Sequence, residues 1–553
     1  MRKFLTPMVY FLIFLVFLKL ALGIYGINWG NPDRWNVDDR ITAAIRMISE
    51  KTFFYSSIQY AHPVFYYYFL IVILAPYFLF FKLAGFNFQI AKEAASVSWL
   101  NLTKVCPGFA GGLLIAGKIS SLLLGVGTIL AVFFLARKIY GARTAVFSAI
   151  VLALNVGLLG TNYLVKNENL ALFLLVLVVY IWANIIEGKF DYRKFYISCL
   201  LSGLAIGTKL DSSILLFGIA SIILYNLRVA GLGLKGKIRF ITASCVFTAL
   251  GILAGYPRLV VPAKAPGGIV NGAVKGFSLL FGIPGVPGFL AQSKMVALNL
   301  ASCFNIVLSV FLVSGIILSI VKPAKSRKSV ILLYILLVPY FIINVLFYKF
   351  TATKLLILSL PILSIFAGYG LEAFWDRISP RRTFRAVFFA LILIYSFVYA
   401  VRADMVFASR DTRYATTRWL ENNIPSGSCI GIIQEPELLF SSRLIGEYRF
   451  YYYQEELNYD NNAYLKIKER VDGNKEVFIP DVCRYVIVSS WDFMKFETGA
   501  KDSFYKDFCG NNGFVLLKKI EYKENLFFNP RPSYTCPVIF IFERKSTDAK
   551  SKL

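Results

Sequence analysis

The sequence predicts an α-helical polytopic membrane protein with about eleven transmembrane helices and a C-terminal extracytoplasmic α/β domain. Hydrophobic residue types make up 57% of the 553 residues and charged types only 16%, with a mean hydropathy of +0.62. A soluble domain carries roughly 25% charged residues. The apolar residues form runs of about 20, the length that a helix needs to cross a bilayer. The basic residues lie between these runs, so they indicate which helix ends face the cytoplasm.

The first apolar run follows Met1-Arg2-Lys3 and resembles a signal peptide, but its length and the many later runs favour an uncleaved first helix. A further run, residues 63–85, is also apolar enough to span. The eleven predicted spans lie near residues 5–25, 110–135, 144–163, 169–187, 194–208, 211–227, 239–256, 299–321, 329–348, 355–375 and 385–402.

The basic clusters indicate that residues 63–85 do not cross the membrane. Clusters that begin at Arg137, Lys189, Arg228, Lys322 and Arg377 lie on the side of the N-terminus only if this run stays on the outer side. Because cytoplasmic loops carry the excess of Lys and Arg, we expect a helix that lies in the outer leaflet or re-enters it.

This topology divides the chain into a membrane module, residues 1–402, and an extracytoplasmic domain, residues 403–553. The module's first outer loop covers about 26–109, and a Gly/Pro-rich outer loop covers 257–298. In the C-terminal domain we expect a helix over 412–422 and short β-branched strands at 429–433, 485–489, 514–520 and 538–542.

The composition also limits the function. The single histidine, His62, leaves almost no material for a histidine-rich metal centre or a Ser-His-Asp triad. The net charge of +27 is what basic cytoplasmic loops give a membrane protein. The sequence contains no soluble basic domain of the kind that would indicate nucleic-acid binding. The domain's four cysteines could pair in one of three ways or stay as thiols; they are Cys429, Cys483, Cys509 and Cys536.

The first outer loop carries a concentration of charge immediately after the first helix. Asp33, Arg34, Asp38, Asp39 and Arg40 lie within eight residues. A carboxylate there could accept a proton from an attacking hydroxyl or amine. The alternative is a helix cap, which suits Asp38 and Asp39 better than Asp33.

Three further turns bring lysines to the same face as Asp33. Residues 163–169 contain Lys166 and Glu168, residues 207–211 contain Lys209, and residues 348–354 contain Lys354. Cations there would stabilise a phosphate leaving group, although lysines at helix ends can also be simple anchors. His62, which precedes an aromatic cluster, is either an interfacial anchor or a ligand.

Taken in order, these motifs resemble the GT-C superfamily of membrane glycosyltransferases, close to the protein O-mannosyltransferases and the lipid A aminoarabinose transferase. Two positions differ from the family pattern: Arg34 replaces the glutamate after the loop aspartate, and Lys354 replaces an arginine. The matching segments are 31–34, 62–67, 136–143, 166–168, 203–210, 354–361 and 413–427.

The resemblance implies an inverting transfer of a hexose or pentose from a polyprenyl-phosphate donor to a lipid, glycan or protein acceptor at the outer face of the plasma (inner) membrane. Asp33 would activate the acceptor, and Glu168 and Asp39 are further catalytic candidates. The substrate-binding candidates are Arg34, His62, Lys166, Lys209 and Lys354. The loop 257–298 could close over the site. No cofactor is certain: two or three carboxylates could hold a divalent cation, but the lysines would already neutralise a phosphate.

Two alternatives belong to other functional classes. A transporter would need ionisable or broken helices at mid-membrane, often in two matching halves, whereas the acidic residues here cluster at the outer ends of the spans. A catalytically inactive homologue that binds lipid carriers is the second alternative, and Arg34 favours it.

Overall fold

The structure is a computed structural model. It describes residues 2–31, 35, 41–49, 63–97, 99–188, 190–229, 232–257, 286–322, 325–343, 356–378, 382–432, 439–441, 444, 447–452, 455–456, 483–490, 514–530 and 535–544.

Apolar helices form the greater part of the described chain, as the sequence predicts. Short 3₁₀ turns occupy Leu210–Ile214 and Ile357–Ser359, and a π-helical turn occupies Val406–Arg410. The helices are α1 Arg2–Tyr25, α2 Ile41–Ser49, α3 Phe65–Leu83, α4 Phe88–Val97, α5 Trp99–Val105, α6 Pro107–Ile139, α7 Ala142–Ala153, α8 Val156–Asn162, α9 Asn167–Glu187, α10 Tyr192–Ile206, α11 Leu215–Val229, α12 Leu234–Gly255, α13 Val286–Val321, α14 Arg327–Ile342, α15 Leu360–Arg377, α16 Arg382–Met405 and α17 Thr412–Asn423.

Within the described residues, nine helices are long and apolar enough to cross a membrane, or ten if the bent pair α7 and α8 counts as one span. The protein is therefore a multi-pass integral membrane protein, and the predicted fold class is confirmed. The span count differs from eleven because α10 has only 15 residues and the described part of α14 only 16. The nine also include α3, which the charge pattern predicts not to cross.

A bend between α7 and α8 shapes the end of the bundle that the charge pattern predicts to face outwards, and we call it the outer end. The two helices meet at 55°, where the sequence pattern predicts one straight span. Asn155 caps α8, since its side chain accepts a hydrogen bond from the Leu158 amide. This cap satisfies a backbone donor that would otherwise be unpaired inside the protein.

Glycines bring α10 and α12 into backbone contact. A Cβ at Gly203 would lie 2.2 Å from the Thr248 carbonyl oxygen, and one at Gly207 would lie 2.5 Å from the Cα of Gly255. Small residues four apart allow this approach in membrane helices. The contact fixes the outer end of α10, immediately before Lys209.

Helix α3 packs along the first half of α6. Its start is held by the outer ends of α10 and α12: the Val64 amide donates to the Gly255 carbonyl at 2.8 Å and the Phe65 amide to the Gly207 carbonyl at 3.2 Å. Further along, the Tyr77 hydroxyl donates to the carbonyl of Phe109, near the first residue of α6. These contacts support the non-crossing prediction, which stays a prediction.

The C-terminal region contains a six-stranded mixed sheet in the order β3-β2-β1-β4-β6-β5. Strand β1 pairs parallel with β2 and β4, and the other pairs are antiparallel. Apolar side chains of β1, β4 and β6 pack with Leu420 of α17 in one core. The strands are β1 Cys429–Ile432, β2 Arg449–Tyr452, β3 Glu455–Glu456, β4 Tyr485–Ser489, β5 Phe514–Ile520 and β6 Ile539–Arg544.

The sequence predicts four of these strands, β1, β4, β5 and β6, and the helix α17, all within two residues of their observed bounds. It misses β2 and β3. Among the described cysteines, two come together at the edges of adjacent strands: the sulfurs of Cys429 and Cys483 lie 2.9 Å apart and are buried.

Candidate functional site

The turn between α8 and α9 places Glu168 at the outer end of the bundle. Lys166 has an extended backbone and precedes the first helical residue of α9. Glu168 follows in the first turn and is buried. A carboxylate suits this position because the N-terminus of a helix carries partial positive charge.

The turn after α10 brings a lysine to this carboxylate. Lys209 Nζ lies 3.1 Å from Glu168 Oε1 and 3.3 Å from Asp211 Oδ2. The two turns are also joined by the Asn167 side chain, which donates to the Thr208 carbonyl at 2.8 Å. We call Lys166, Glu168, Lys209 and Asp211 the outer cluster.

The outer cluster is formally neutral, with two lysines and two carboxylates. Lys166 and Glu168 are buried and Lys209 is nearly so. Removing charges from water is expensive even when they are paired, and ionisable residues in membrane segments are functional candidates for that reason. Within the described residues, Glu168 Oε2 has no hydrogen-bond partner, so one carboxylate oxygen holds Lys209 and the other is left for a further group.

Two tryptophans on either side of Asp33 in the sequence belong to the same outer end. Trp29 and Trp35 are buried in a cluster with Tyr163, Leu164 and Phe407. Tyr163 and Leu164 directly precede the turn that carries Lys166 and Glu168. The structure thus brings the start of the first outer loop next to the outer cluster.

Of the predicted site residues, the structure places Glu168, Lys166 and Lys209 together. The other predicted residues lie outside the described part of the chain: Asp33, Asp39, Arg34, His62 and Lys354. Their described neighbours are close to the cluster, because Val64 and Phe65 bind the outer ends of α12 and α10 and the 3₁₀ turn Ile357–Ser359 contacts α9.

The sequence interpretation missed three charged residues at this end, which are Lys118, Asp411 and Arg413. All three are buried and contact the first outer loop. Lys118 had a usable signal, since a lysine inside a predicted span is expensive. Arg413 begins a segment that matches the family pattern, but no sequence signal gave the contacts of Asp411 and Arg413, because their partners are about 380 positions away.

Among the described residues, no three His, Cys, Asp or Glu side chains are grouped so that they could hold a metal ion. The charges that the described part of the outer end offers to a ligand are therefore those of lysine and paired carboxylates.

Residues 109–254 match the family model described as dolichyl-phosphate-mannose-protein mannosyltransferase. This segment contains the whole outer cluster. The chain resembles the GT-C glycosyltransferases, as its motifs predict.

Several solved structures are similar to this chain at low sequence identity. ArnT from Cupriavidus metallidurans, bound to undecaprenyl phosphate, is 12% identical over 96% of this chain and 97% of its own, with a TM-score of 0.47. The Archaeoglobus fulgidus oligosaccharyltransferase, with Zn and sulfate, is 13% identical over 90% of this chain and 69% of its own, also at 0.47. The arabinofuranosyltransferase AftD from Mycobacteria is 14% identical over 79% of this chain and 34% of its own, at 0.37. No curated protein sequence matches this chain.

Proposed function

We propose that the protein is a membrane glycosyltransferase that takes a hexose or pentose from a polyprenyl-phosphate donor and transfers it to a lipid, glycan or protein acceptor. The observation that carries this proposal is the outer cluster, in which Lys209 lies between Glu168 and Asp211 beside the start of the first outer loop. The matching family model, whose printed description names a lipid-phosphate sugar, supports the donor class.

The proposed reaction needs a base for the acceptor and cations for the leaving phosphate. The acceptor hydroxyl or amine attacks the anomeric carbon, its proton passes to Asp33, and the lipid phosphate leaves with the electron pair of the broken bond. Attack opposite the leaving group inverts the anomeric carbon. Lys166, Lys209 and Lys354 stabilise the charge that develops on the phosphate. A divalent cation is not needed in this scheme, and chelation of the purified protein tests that expectation.

Glu168 has a second role in this proposal. Its contact with Lys209 fixes one carboxylate oxygen, and the other oxygen can accept a hydrogen bond from a substrate hydroxyl. Lys209 therefore acts both on the phosphate and on the orientation of Glu168, and we expect the effects of substituting these two residues to be non-additive.

We also propose that the outer cluster and the C-terminal domain face the extracytoplasmic side of the plasma membrane. The support is the charge pattern, with Arg137, Lys138 and Arg143 at the opposite end of the bundle. Reporter fusions at residues 140 and 450 should report opposite sides, and a shared side would contradict the eleven-span topology.

The activity is tested with the purified protein in lipid nanodiscs and a panel of labelled polyprenyl-phosphate sugars. We expect sugar-dependent release of free polyprenyl phosphate, and mass spectrometry of envelope glycans from a deletion strain should then identify the sugar and the acceptor. Donor binding without turnover, for every donor of the panel and with envelope extract as acceptor, would contradict the enzyme and favour the inactive lipid-carrier-binding homologue.

A further inference from the structure

A fully buried ion pair lies where the last membrane helix meets the C-terminal domain. Arg413 Nη2 and Asp411 Oδ2 are 2.8 Å apart, and neither side chain is exposed. Asp411 also caps α17 and accepts hydrogen bonds from the Trp29 indole at 3.1 Å and from the Cys536 amide at 3.2 Å. One carboxylate therefore joins the C-terminal domain to Trp29, which lies in the turn that follows the first membrane helix.

Arg413 extends this link to Trp35, which follows Asp33 in the sequence. Its Nη1 donates to the Trp35 carbonyl at 2.7 Å. Its guanidinium carbon lies 4.7 Å from the ring centroid of Trp35 and 5.1 Å from that of Trp29. A planar cation suits this place, because it can stack on aromatic rings and donate in fixed directions at once.

Lys118, in the first half of α6, contacts residues that precede Asp33 in the sequence. Its Nζ donates to the carbonyls of Ile27, at 3.0 Å, and of Trp29. The lysine is buried, and a buried cation inside an apolar helix is expensive. Trp29 is thus contacted by both cations, one from the membrane bundle and one from the C-terminal domain.

The backbone at Cys536 supports a functional reading of this junction. Cys536 has a φ of +52°, a region that non-glycine residues rarely adopt. Such strain persists where the surroundings over-determine the conformation, and it clusters at functional sites. Here it aims an amide at Asp411. A plain domain contact would need none of these features, because apolar residues stabilise a junction at least as well as a buried ion pair.

We propose that Arg413 and Lys118 are positioning residues that hold the two ends of the segment carrying Asp33. Through Arg413, the C-terminal domain holds Trp29 and Trp35, which lie on either side of Asp33 in the sequence. The contact part of this proposal stands on the structure alone, and its kinetic part rests on the proposed function.

The test combines a structural readout with kinetics. Arg413→Lys keeps the charge but loses the paired contacts with Asp411 and the Trp35 carbonyl, and Lys118→Met removes the contacts with the residues that precede Asp33. We expect backbone hydrogen exchange over residues 27–40 to quicken at least about tenfold in both, because each contact limits local opening. Turnover should fall by about 10–100-fold, since small misplacements of reacting groups are costly, with the donor KM within about twofold of wild type. Arg418→Lys, an exposed site on the same helix, is the matched control.

Unchanged exchange over residues 27–40 in Arg413→Lys and Lys118→Met would overturn the proposal. If quickened exchange came with unchanged turnover, the positioning role would be overturned although the contacts exist. If the wild-type protein transferred no sugar at all, the exchange measurement would still decide whether the loop is held, so the two failures are distinguishable.

A second, independent observation concerns Cys429 and Cys483, whose buried sulfurs lie 2.9 Å apart; Cys429 begins β1, and Cys483 lies two residues before the adjacent strand β4. We propose that these two thiols form a disulfide. Each thiol loses one proton and one electron as the S–S bond forms, and a disulfide-bearing oxidant outside the cytoplasm is reduced to two thiols. The bond would fasten the two central parallel strands of the sheet.

Peptide mapping of protein prepared without reductant tests this pairing. We expect a linked peptide pair containing Cys429 and Cys483, lighter by two hydrogen atoms than the separate peptides. Burial raises the pKa of the Cys536 thiol to about 12, so Cys536 should be recovered as a thiol that is alkylated only after unfolding and serves as the internal reference. Recovery of Cys429 and Cys483 as thiols like Cys536 would overturn the proposal.

Discussion

The two ends of α9 carry the same pair of residue types in opposite surroundings. At the outer end, Glu168 lies 3.1 Å from Lys209, and their side chains are 7% and 14% exposed. At the inner end, Glu187 lies 3.6 Å from Lys138, and their side chains are 20% and 36% exposed. A second inner pair, Arg143 and Asp376, is more exposed still, at 50% and 58%.

This difference in exposure distinguishes ion pairs that only anchor helix ends from a pair that can take part in chemistry. An exposed ion pair contributes about 0–1 kcal/mol to stability, and the inner pairs need no further explanation than the basic charge of the helix ends that are predicted to be cytoplasmic. A buried pair can cost more in desolvation than it gains. The outer pair is therefore better explained by a ligand that needs its charges than by stability.

The largest expected effect concerns the base, which only the sequence motif identifies. Asp33→Asn keeps the shape of the side chain and removes its basicity, so turnover should fall by about 10²–10⁴-fold. Asp39→Asn should cost far less if Asp39 is a helix cap, because asparagine caps about as well. An inactive Asp39→Asn beside an active Asp33→Asn would mean that the motif is aligned at the wrong aspartate.

A smaller effect is expected from Lys209→Ala, with Lys138→Ala as the inner control. Loss of one charge-assisted contact to the donor phosphate should cost about 1.5–3 kcal/mol, or about 10–160-fold in kcat/KM for the donor. Lys138→Ala should change it by less than about twofold, because its pair is exposed. Equal donor kinetics for both variants would identify Lys209 as a mere anchor.

A third effect tests how the outer end is built. Gly207→Ala would place a Cβ against the backbone of Gly255, so α10 and α12 must separate, at a cost of about 1–3 kcal/mol in the free energy of unfolding. Gly108→Ala is the control, because nothing lies within 4 Å of its Cβ position. Unfolding in a detergent titration measures both, and equal stability would show that the close approach of these helices is not needed.

Local patterns of sequence predict most of the fold. The apolar runs locate the long helices, and β-branched runs locate β1, β4, β5 and β6. The bend at Asn155 is missed because a polar cap inside an apolar run breaks no periodicity. Strands β2 and β3 are missed because Arg449–Tyr452 and Glu455–Glu456 are short and carry charge or tyrosine.

The sequence predicts only part of the candidate site, because some of its contacts depend on tertiary packing. Polar residues in short outer turns stand out against apolar runs, which reveals Lys166, Glu168 and Lys209. That Lys209 pairs with Glu168, 41 positions away, depends on how α9 and α10 pack against each other, a tertiary contact that no local pattern encodes. The link from Arg413 to Trp35 depends on how a separate domain packs on the bundle.

The comparison between the ends of α9 can be tested with two matched glutamate variants. Transfer of labelled sugar from the polyprenyl-phosphate donor should be measured for Glu168→Gln and Glu187→Gln in nanodiscs, at matched amounts of folded protein. We predict that Glu168→Gln lowers turnover by about 10²-fold or more, because it removes a charge that orients Lys209 and serves the substrate, while Glu187→Gln stays within about twofold of wild type because its pair is exposed. Equal rates for the two variants would contradict the assignment of the reaction to the outer end of the bundle.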